Sequence, residues 1–139
     1  MKAGAISHAI RFILPNSRIQ CREYVRPATH GTGVSNCAGW ANADGVPYGA
    51  RLRLKSTYSV ETLPSEGAKV VARALQKYGM ILSDGGNIAL TAKSDAASTT
   101  QWAGLLDAQD LQVLKVTDFE MVEAGTRYDF TSFDCTRTR

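Results

Sequence analysis

The segment between Pro64 and Leu90 constrains the fold more than any other part of the chain. Its first half places apolar residues at the spacing of one helical face, behind a serine, Ser65, that can cap the first turn. Gly79 follows at the position where the left-handed residue that ends many helices is expected. These features predict a helix over about residues 65–78.

The second half of the same segment has the pattern of two strands joined by a tight turn. Residues 80–82 and 88–90 are apolar runs, and the sequence between them, Asp84-Gly85-Gly86-Asn87, has the residue types that turns select. Asp84 is therefore predicted to lie on a turn. A helix followed by a strand pair favours the α+β class.

Further patterns complete the predicted fold. Runs rich in β-branched, aromatic and alternating apolar residues predict strands over 5–14, 19–25, 50–60 and 117–122. Weaker patterns predict one or two short helices at about 100–115. We therefore predict a single α+β domain over residues 1–139, in which a mainly antiparallel β-sheet packs against one clear helix.

Two stretches have no regular pattern. Residues 28–49 are rich in Gly, Ser, Thr and Asn and predict a long loop, in which Trp40 and Tyr48 either anchor the loop to the core or face a ligand. Residues 123–139 are polar with aromatic residues at intervals, and they predict either a final strand or a loosely held tail.

Composition and charge narrow the classes of partner. The chain is 44% hydrophobic and 21% charged, as in ordinary globular proteins, and its net charge of +3 is spread along the sequence. Arg51, Arg53 and Lys55 alternate with apolar residues, as on the solvent face of a strand, which argues against a nucleic-acid partner. No apolar run has the ~20 residues of a membrane-spanning helix, and the first residues lack the pattern of a signal peptide. We expect a soluble protein.

The three cysteines, Cys21, Cys37 and Cys135, leave two interpretations open. No Cys-x-x-Cys pair is present, so the sequence does not predict a zinc site. In an exported protein Cys21 and Cys37 can form a disulfide that closes a polar loop. In a cytoplasmic protein all three remain separate thiols.

Several blocks of sequence carry a resemblance to other proteins. They are HAIRF (8–12), YVRPATH (24–30), PYGARLRLK (47–55) and ALQKYGMILSDGG (74–86), with a shorter block at 119–122. Together they resemble a family of uncharacterised bacterial proteins, many of which look exported, and in which this pattern forms the C-terminal part of longer chains. The resemblance implies an exported protein of which this chain is such a part. It implies no catalytic residue, because no activity is known for the family.

Asp84 and the two histidines, His8 and His30, are the candidate catalytic residues. Two histidines and a carboxylate can hold a metal ion, and a carboxylate can act in glycoside hydrolysis when a second carboxylate is near. The other interpretation places His8 in the core, His30 in the loop and Asp84 on its turn. We favour the second interpretation and expect no metal, because a metal site needs three distant segments to converge. Gly85-Gly86 lacks the lysine of a phosphate-binding loop, and we expect no cofactor.

A binding function needs fewer specific residues than catalysis. Trp40 and Tyr48 can stack on sugar rings, and a ligand can accept hydrogen bonds from three arginines, Arg11, Arg51 and Arg53. The sequence therefore predicts a non-catalytic ligand-binding or interaction domain, with carbohydrate or another polar polymer as the leading ligand class.

Two alternatives remain open. The chain can be a fragment of a hydrolase or lyase that uses Asp84 with His8 or His30. It can also be a small structural protein that forms a homodimer through an exposed strand edge.

Overall fold

The computed structural model describes residues 4–33, 37, 44–87, 90–92, 94–122 and 125–130. Over these residues seven strands form two mixed sheets, and one α-helix is accompanied by short 3-10 helices. The α+β class predicted from the sequence is confirmed. The strands are β1 (Ile10–Leu14), β2 (Ile19–Val25), β3 (Val46–Tyr48), β4 (Arg51–Leu54), β5 (Met80–Gly85), β6 (Phe119–Val122) and β7 (Arg127–Asp129). The helix α1 is Glu66–Lys77, and the 3-10 helices are Asn16–Arg18, Val60–Thr62 and Val116–Asp118.

The hydrogen-bonded order of the strands is β1-β5-β4-β6 in one sheet and β3-β2-β7 in the other. β2 pairs with β3 in parallel and with β7 in antiparallel orientation, so the three-stranded sheet is mixed. Tyr24 on β2 is in register with Tyr48 on β3 and with Tyr128 on β7. Three strands that are distant in sequence thus place three tyrosines in one row across the sheet.

The chain divides into two compact units. One contains α1 and is here termed the helix unit; the other contains the three tyrosines and is termed the tyrosine unit. The prediction of a single domain stays a prediction. The helix unit is Met1–Ile10, Leu52–Met80 and Thr91–Val122, and the tyrosine unit is Arg11–Arg51, Ile81–Leu90 and Glu123–Arg139.

α1 supplies much of the core of the helix unit and confirms the helix predicted over 65–78. Ser65 caps its N-terminus by accepting a hydrogen bond from the Ala68 amide (3.2 Å), and Gly79 follows its end with a φ of 75°. One face of the helix packs into an apolar cluster whose buried members are Leu54, Leu63, Ala68, Val71, Ala72 and Leu75. No helix among the described residues is long and apolar enough to cross a membrane.

The tyrosine unit has a second set of buried apolar side chains. Each of them is 6% exposed or less, and Tyr48 is among them, so the interpretation that Tyr48 anchors its segment to the core is supported. The largest are Phe12, Ile19, Val25, Tyr48 and Leu82.

Cys21 and Cys37 form a disulfide, with their Cα atoms 5.6 Å apart. The structure therefore agrees with the interpretation in which Cys21 and Cys37 are bonded, and not with the one in which they are separate thiols. Thr32 lies beside it, because its Oγ1 atom is 3.5 Å from Sγ of Cys37 and accepts a hydrogen bond from the Arg22 amide (2.9 Å). The segment after β2 is therefore tied to the strand by a covalent bond and a hydrogen bond. Cys135 lies outside the described residues.

Pairing with β2 forms two short strands in the segments without a regular sequence pattern. The last residues of the predicted loop over 28–49, Val46–Tyr48, form β3. Within the predicted tail over 123–139, Arg127–Asp129 form β7, which agrees with the strand alternative there. Both strands have three residues, too few for a local pattern to reveal them.

Residues 100–115 form a series of turns instead of the predicted short helices. The Leu106 amide donates to the Trp102 carbonyl (3.1 Å), which is a single helical turn. Gly104 within this turn has a φ of 76°, a left-handed conformation that a continuing right-handed helix does not contain.

Asp84 lies in strand β5 and not on the predicted turn. β5 continues to Gly85 because it runs alongside β1, where the Gly86 amide donates to the Leu14 carbonyl (2.8 Å). Of the predicted return strand over 88–90, residues 88 and 89 lie outside the described residues, and residue 90 is not in a strand.

We predict that Ser65→Ala destabilises the helix unit. The substitution leaves the Ala68 amide without its capping partner, so the free energy of unfolding should fall by about 1 kcal/mol. Urea denaturation followed by circular dichroism measures the change. Ser59→Ala is the matched control, because Ser59 precedes a 3-10 helix without making a side-chain cap. Equal losses in the two variants would contradict the prediction.

The same serine introduces a pH dependence. Ser65 donates a hydrogen bond to the Asp110 carboxylate, and this bond is the main cause that lowers the pKa of Asp110 below its ordinary 3.8. A hydrogen bond from the Asp107 amide (3.0 Å) lowers this pKa further. Because folding lowers this pKa, the stabilisation is complete above about pH 5 and is lost as the pH falls through the lowered pKa. The effect of Ser65→Ala should therefore be smaller in strong acid than at neutral pH.

Removing the disulfide should destabilise the tyrosine unit. The bridge joins residues with a sequence separation of 16, and replacing both cysteines by serine should lower the free energy of unfolding by about 3 kcal/mol, because the unfolded chain regains freedom. Urea denaturation measures the loss. Wild-type protein in a strong reductant should match the double variant, and a stability that does not respond to the reductant would overturn the prediction.

Candidate functional site

Asp84 is the centre of a group of polar side chains in the tyrosine unit. Its Oδ1 atom accepts hydrogen bonds from the Gly85 amide (2.8 Å) and from the Tyr48 hydroxyl (3.4 Å), and its Oδ2 atom lies 3.9 Å from Nη2 of Arg11. The side chains of Asp84 and Arg11 are 64% and 56% exposed. The structure thus brings three of the predicted candidate residues together, Arg11 and Asp84 exposed and Tyr48 buried beneath them.

Strand β5 holds Arg11 in place. Nε of Arg11 donates a hydrogen bond to Oγ of Ser83 (2.6 Å), and the Ser83 hydroxyl donates in turn to the Phe12 carbonyl (3.4 Å). The 3.9 Å separation of Arg11 and Asp84 is longer than the ~2.8 Å of a direct charge-assisted hydrogen bond. Both charged groups therefore keep hydrogen-bonding capacity for a ligand.

Tyr48 connects Asp84 to His30. The rings of Tyr48 and His30 meet edge to face, with their centroids 5.7 Å apart and 87° between their planes. Burial of the tyrosine is the main cause that raises the pKa of Tyr48 above its ordinary 10.0. The negative charge of Asp84 and the hydrogen bond to it raise this pKa further. The hydroxyl is therefore protonated at neutral pH and acts as a hydrogen-bond donor to Asp84.

Aromatic side chains continue from His30 across the three-stranded sheet. The exposed His30 ring lies 6.1 Å from the ring of Phe130, and the rings of Tyr24 and Tyr128 stack at 5.4 Å. Because residues in register on neighbouring strands point to the same side of a sheet, the three tyrosines share one face. We refer to Tyr24, His30, Tyr48, Tyr128 and Phe130 as the aromatic row.

Two close ion pairs beside the aromatic row link β7 to β2. In addition, the guanidinium of Arg26 lies over the Tyr128 ring, 5.3 Å from its centroid. The Arg11–Asp84 pair, at 3.9 Å, is the longest ion pair among the described residues. The close pairs are Arg22–Asp129 at 2.8 Å and Arg127–Glu23 at 3.0 Å.

His8 is exposed, and its predicted place in the core is wrong. β1 begins only at Ile10, whose amide donates to the Gly79 carbonyl (3.0 Å), so His8 precedes the strand predicted to contain it. Nδ1 of His8 lies 2.9 Å from the carbonyl of its neighbour Ala9. In the described part of the chain no three His, Cys, Asp or Glu side chains form a group that could hold a metal ion, so the site considered for His8, His30 and Asp84 is not formed.

The other residues predicted to bind a ligand do not contact the Asp84 group in the described part of the chain. Arg53 belongs to the helix unit, where it forms an ion pair with Glu120 (2.8 Å). Arg51 is exposed at the start of β4. Trp40 lies outside the described residues, so its predicted role stays a prediction.

The residues that support the site, Ser83, Tyr24 and Tyr128, were not predicted from the sequence. Ser83 precedes Asp84 directly, but its contact with β1 becomes visible only when β5 is known to continue beyond Leu82. Tyr24 and Tyr128 come together through strand pairing between distant segments, for which a single sequence carries no local signal.

We predict that Asp84→Asn lowers the pKa of Tyr48. The substitution removes the negative charge beside the hydroxyl, while burial continues to hold the pKa above 10.0. Ultraviolet absorbance against pH measures the change, with Tyr48→Phe to assign the transition. Glu120→Gln, which removes a carboxylate of the helix unit, is the control. An unchanged Tyr48 titration in Asp84→Asn would contradict the contact.

The raised pKa of Tyr48 makes the free energy of unfolding depend on pH. Because folding raises this pKa, the stabilising contribution of the neutral tyrosine is complete below pH 10.0 and is lost as the pH rises through the raised pKa.

No protein-family model, no curated protein and no solved structure matches this chain. The family resemblance of the sequence blocks therefore stays an expectation. Function is inferred from the geometry of the Asp84 group and of the aromatic row.

Proposed function

We propose that the protein is a non-catalytic carbohydrate-binding domain and that Arg11, Asp84 and the exposed rings of the aromatic row contact the sugar. The observation that carries the proposal is the exposed Arg11–Asp84 pair, whose charged atoms are 3.9 Å apart. Each member is held by a second side chain, Arg11 by Ser83 and Asp84 by Tyr48.

The chemistry of this pair suits sugar hydroxyl groups. A carboxylate accepts hydrogen bonds and a guanidinium donates them, so neighbouring hydroxyl groups, which do both, can bond to Asp84 and Arg11 at once. The opposite charges balance each other, which favours a neutral ligand over an ion. The contacts to Ser83 and Tyr48 order the two side chains in advance and reduce the entropy lost on binding.

The aromatic row supplies the apolar surface that sugar rings require. His30 is exposed and Tyr128 is 38% exposed, so ring surface in this row is accessible to a ligand. Contacts run from Asp84 through the buried Tyr48 to His30 and Phe130, so the exposed rings are linked to the Arg11–Asp84 pair. A ligand that contacts both the pair and the rings would be a polymer of several units rather than one small molecule.

The disulfide supports a place of action outside the cytoplasm. Disulfides persist in oxidising compartments and are rare in reducing ones, and the structure contains the Cys21–Cys37 bridge. We therefore propose that the protein is exported, in agreement with what the sequence resemblance implies.

Catalysis by Asp84 is the alternative at the same site. The groups that contact Asp84 are a tyrosine, an arginine and a backbone amide, whereas glycoside hydrolysis uses two carboxylates. A hydrolase or lyase fragment that uses Asp84 with a histidine stays a hypothesis, as does a homodimer formed through a strand edge.

We expect saturable binding of at least one neutral oligosaccharide from a panel derived from cellulose, xylan, chitin and starch, measured by isothermal titration calorimetry. Asp84→Asn and Arg11→Gln should each weaken binding about 10- to 100-fold, because each removes a charged hydrogen-bonding partner. Arg53→Gln is the matched control, since Arg53 is also a strand arginine paired with a carboxylate, and it should leave the affinity unchanged.

Absence of binding across the whole panel would contradict the proposal, and so would equal losses in the Arg11 and Arg53 variants. Release of shorter sugars by the wild type, abolished in Asp84→Asn, would establish the hydrolase instead. A mass that rises with concentration, without binding or hydrolysis, would favour the homodimer.

A further inference from the structure

A polar cleft lies at the carboxyl ends of β1 and β5 in the tyrosine unit, with a volume of about 410 Å³. The two strands run in the same direction, because the Ser83 hydroxyl contacts the Phe12 carbonyl and, further along, the Gly86 amide donates to the Leu14 carbonyl. The carboxyl ends of parallel strands are a frequent position for ligands. The cleft is lined by Pro15, Asn16, Ser17, Gly85, Gly86 and Asn87.

Gly85 shapes this cleft because it has no side chain. A Cβ atom at position 85 would stand 2.0 Å from Oδ1 of Asn16. The amide group of Asn16 can therefore lie against β5 only while this position is glycine. Asn87, which is exposed, adds a second amide side chain to the lining.

The lining groups define the class of ligand. Side-chain amides and a serine hydroxyl both donate and accept hydrogen bonds, and none of the six lining residues carries a charge that would favour an ion. The volume of about 410 Å³ is near the lower end of the range for small-molecule sites. We infer that the cleft binds one unit of a neutral sugar.

The cleft is a site distinct from the Arg11–Asp84 pair. Gly85 directly follows Asp84 in β5, and successive residues of a strand point to opposite faces, so Asp84 does not line the cleft. This inference rests on the proposed function for its ligand class, but it assigns a separate group of residues.

The test is a titration of isotope-labelled protein, observed by nuclear magnetic resonance, with the methyl glycosides of glucose, galactose and N-acetylglucosamine. We expect at least one glycoside to cause saturable shifts of the backbone amides of Gly85 and Gly86 and of the side-chain amides of Asn16 and Asn87. Inorganic phosphate is the comparison probe and should cause no saturable shift.

Two variants alter the cleft in different ways. Asn87→Ala removes an exposed amide, and Gly85→Ala moves the end of the Asn16 side chain while leaving the strand backbone in place. Each should weaken glycoside binding about 3- to 10-fold, the effect of losing one neutral hydrogen-bonding group. Gln109→Ala, which removes an exposed amide of the helix unit, is the matched control and should change nothing.

Saturable shifts that weaken in both cleft variants and not in the control support the inference. It is overturned by linear or absent shifts with all three glycosides, by saturation with phosphate instead, or by an unchanged affinity in Asn87→Ala. Asp84→Asn separates the two proposals. If it abolishes the glycoside shifts, the sugar lies at Asp84 and the cleft inference fails alone. If oligosaccharide binding needs Asn87 but not Asp84, the proposed site at Arg11 and Asp84 fails and the cleft inference stands.

Discussion

The tyrosine unit depends on the conformation of one residue in β2, Arg22. Both β3 and β7 pair with β2, and the pairing with β3 shifts in register before it reaches Tyr24. Arg22 has a φ of 66°, which is unfavourable by roughly 1–2 kcal/mol for a residue other than glycine. Two hydrogen bonds hold this conformation, from the Arg22 amide to Thr32 (2.9 Å) and from the Phe130 amide to the Arg22 carbonyl (2.9 Å). The shift places Tyr24 between the tyrosines of both neighbouring strands.

Local chemistry determines which parts of the fold a single sequence can predict. α1 is predictable because its cap Ser65, its apolar face and the following Gly79 lie close together in the chain. β3 was not predicted, and the segment of β7 was predicted only as a strand or a tail, since each strand is short and is defined by a distant partner. The site lies between these cases. Asp84 and Tyr48 are recognisable candidates from their residue types, but their contact joins β5 to β3 and arises only from tertiary structure.

Charged pairs have two different roles in this protein. Arg22–Asp129 and Arg53–Glu120, both at 2.8 Å, join strands and leave little capacity for other partners. Exposed ion pairs contribute at most about 1 kcal/mol, so the looser Arg11–Asp84 pair adds less still to stability. A ligand that inserts between these two side chains therefore displaces a weak contact, while Ser83 and Tyr48 continue to hold each of them.

The pairing of β2 with β7 limits the order in which parts of the molecule can form during synthesis. Tyr24 and Tyr128 are far apart in the sequence, and contacts between distant segments form slowly because closing a long loop costs entropy. The Tyr24–Tyr128 ring stack therefore forms only after β7 has been synthesised. A chain that stops before β7 contains the sequence of α1 but lacks this stack, which is part of the proposed sugar-binding surface. Binding at the proposed surface would then indicate that β7 has been synthesised and has paired with β2.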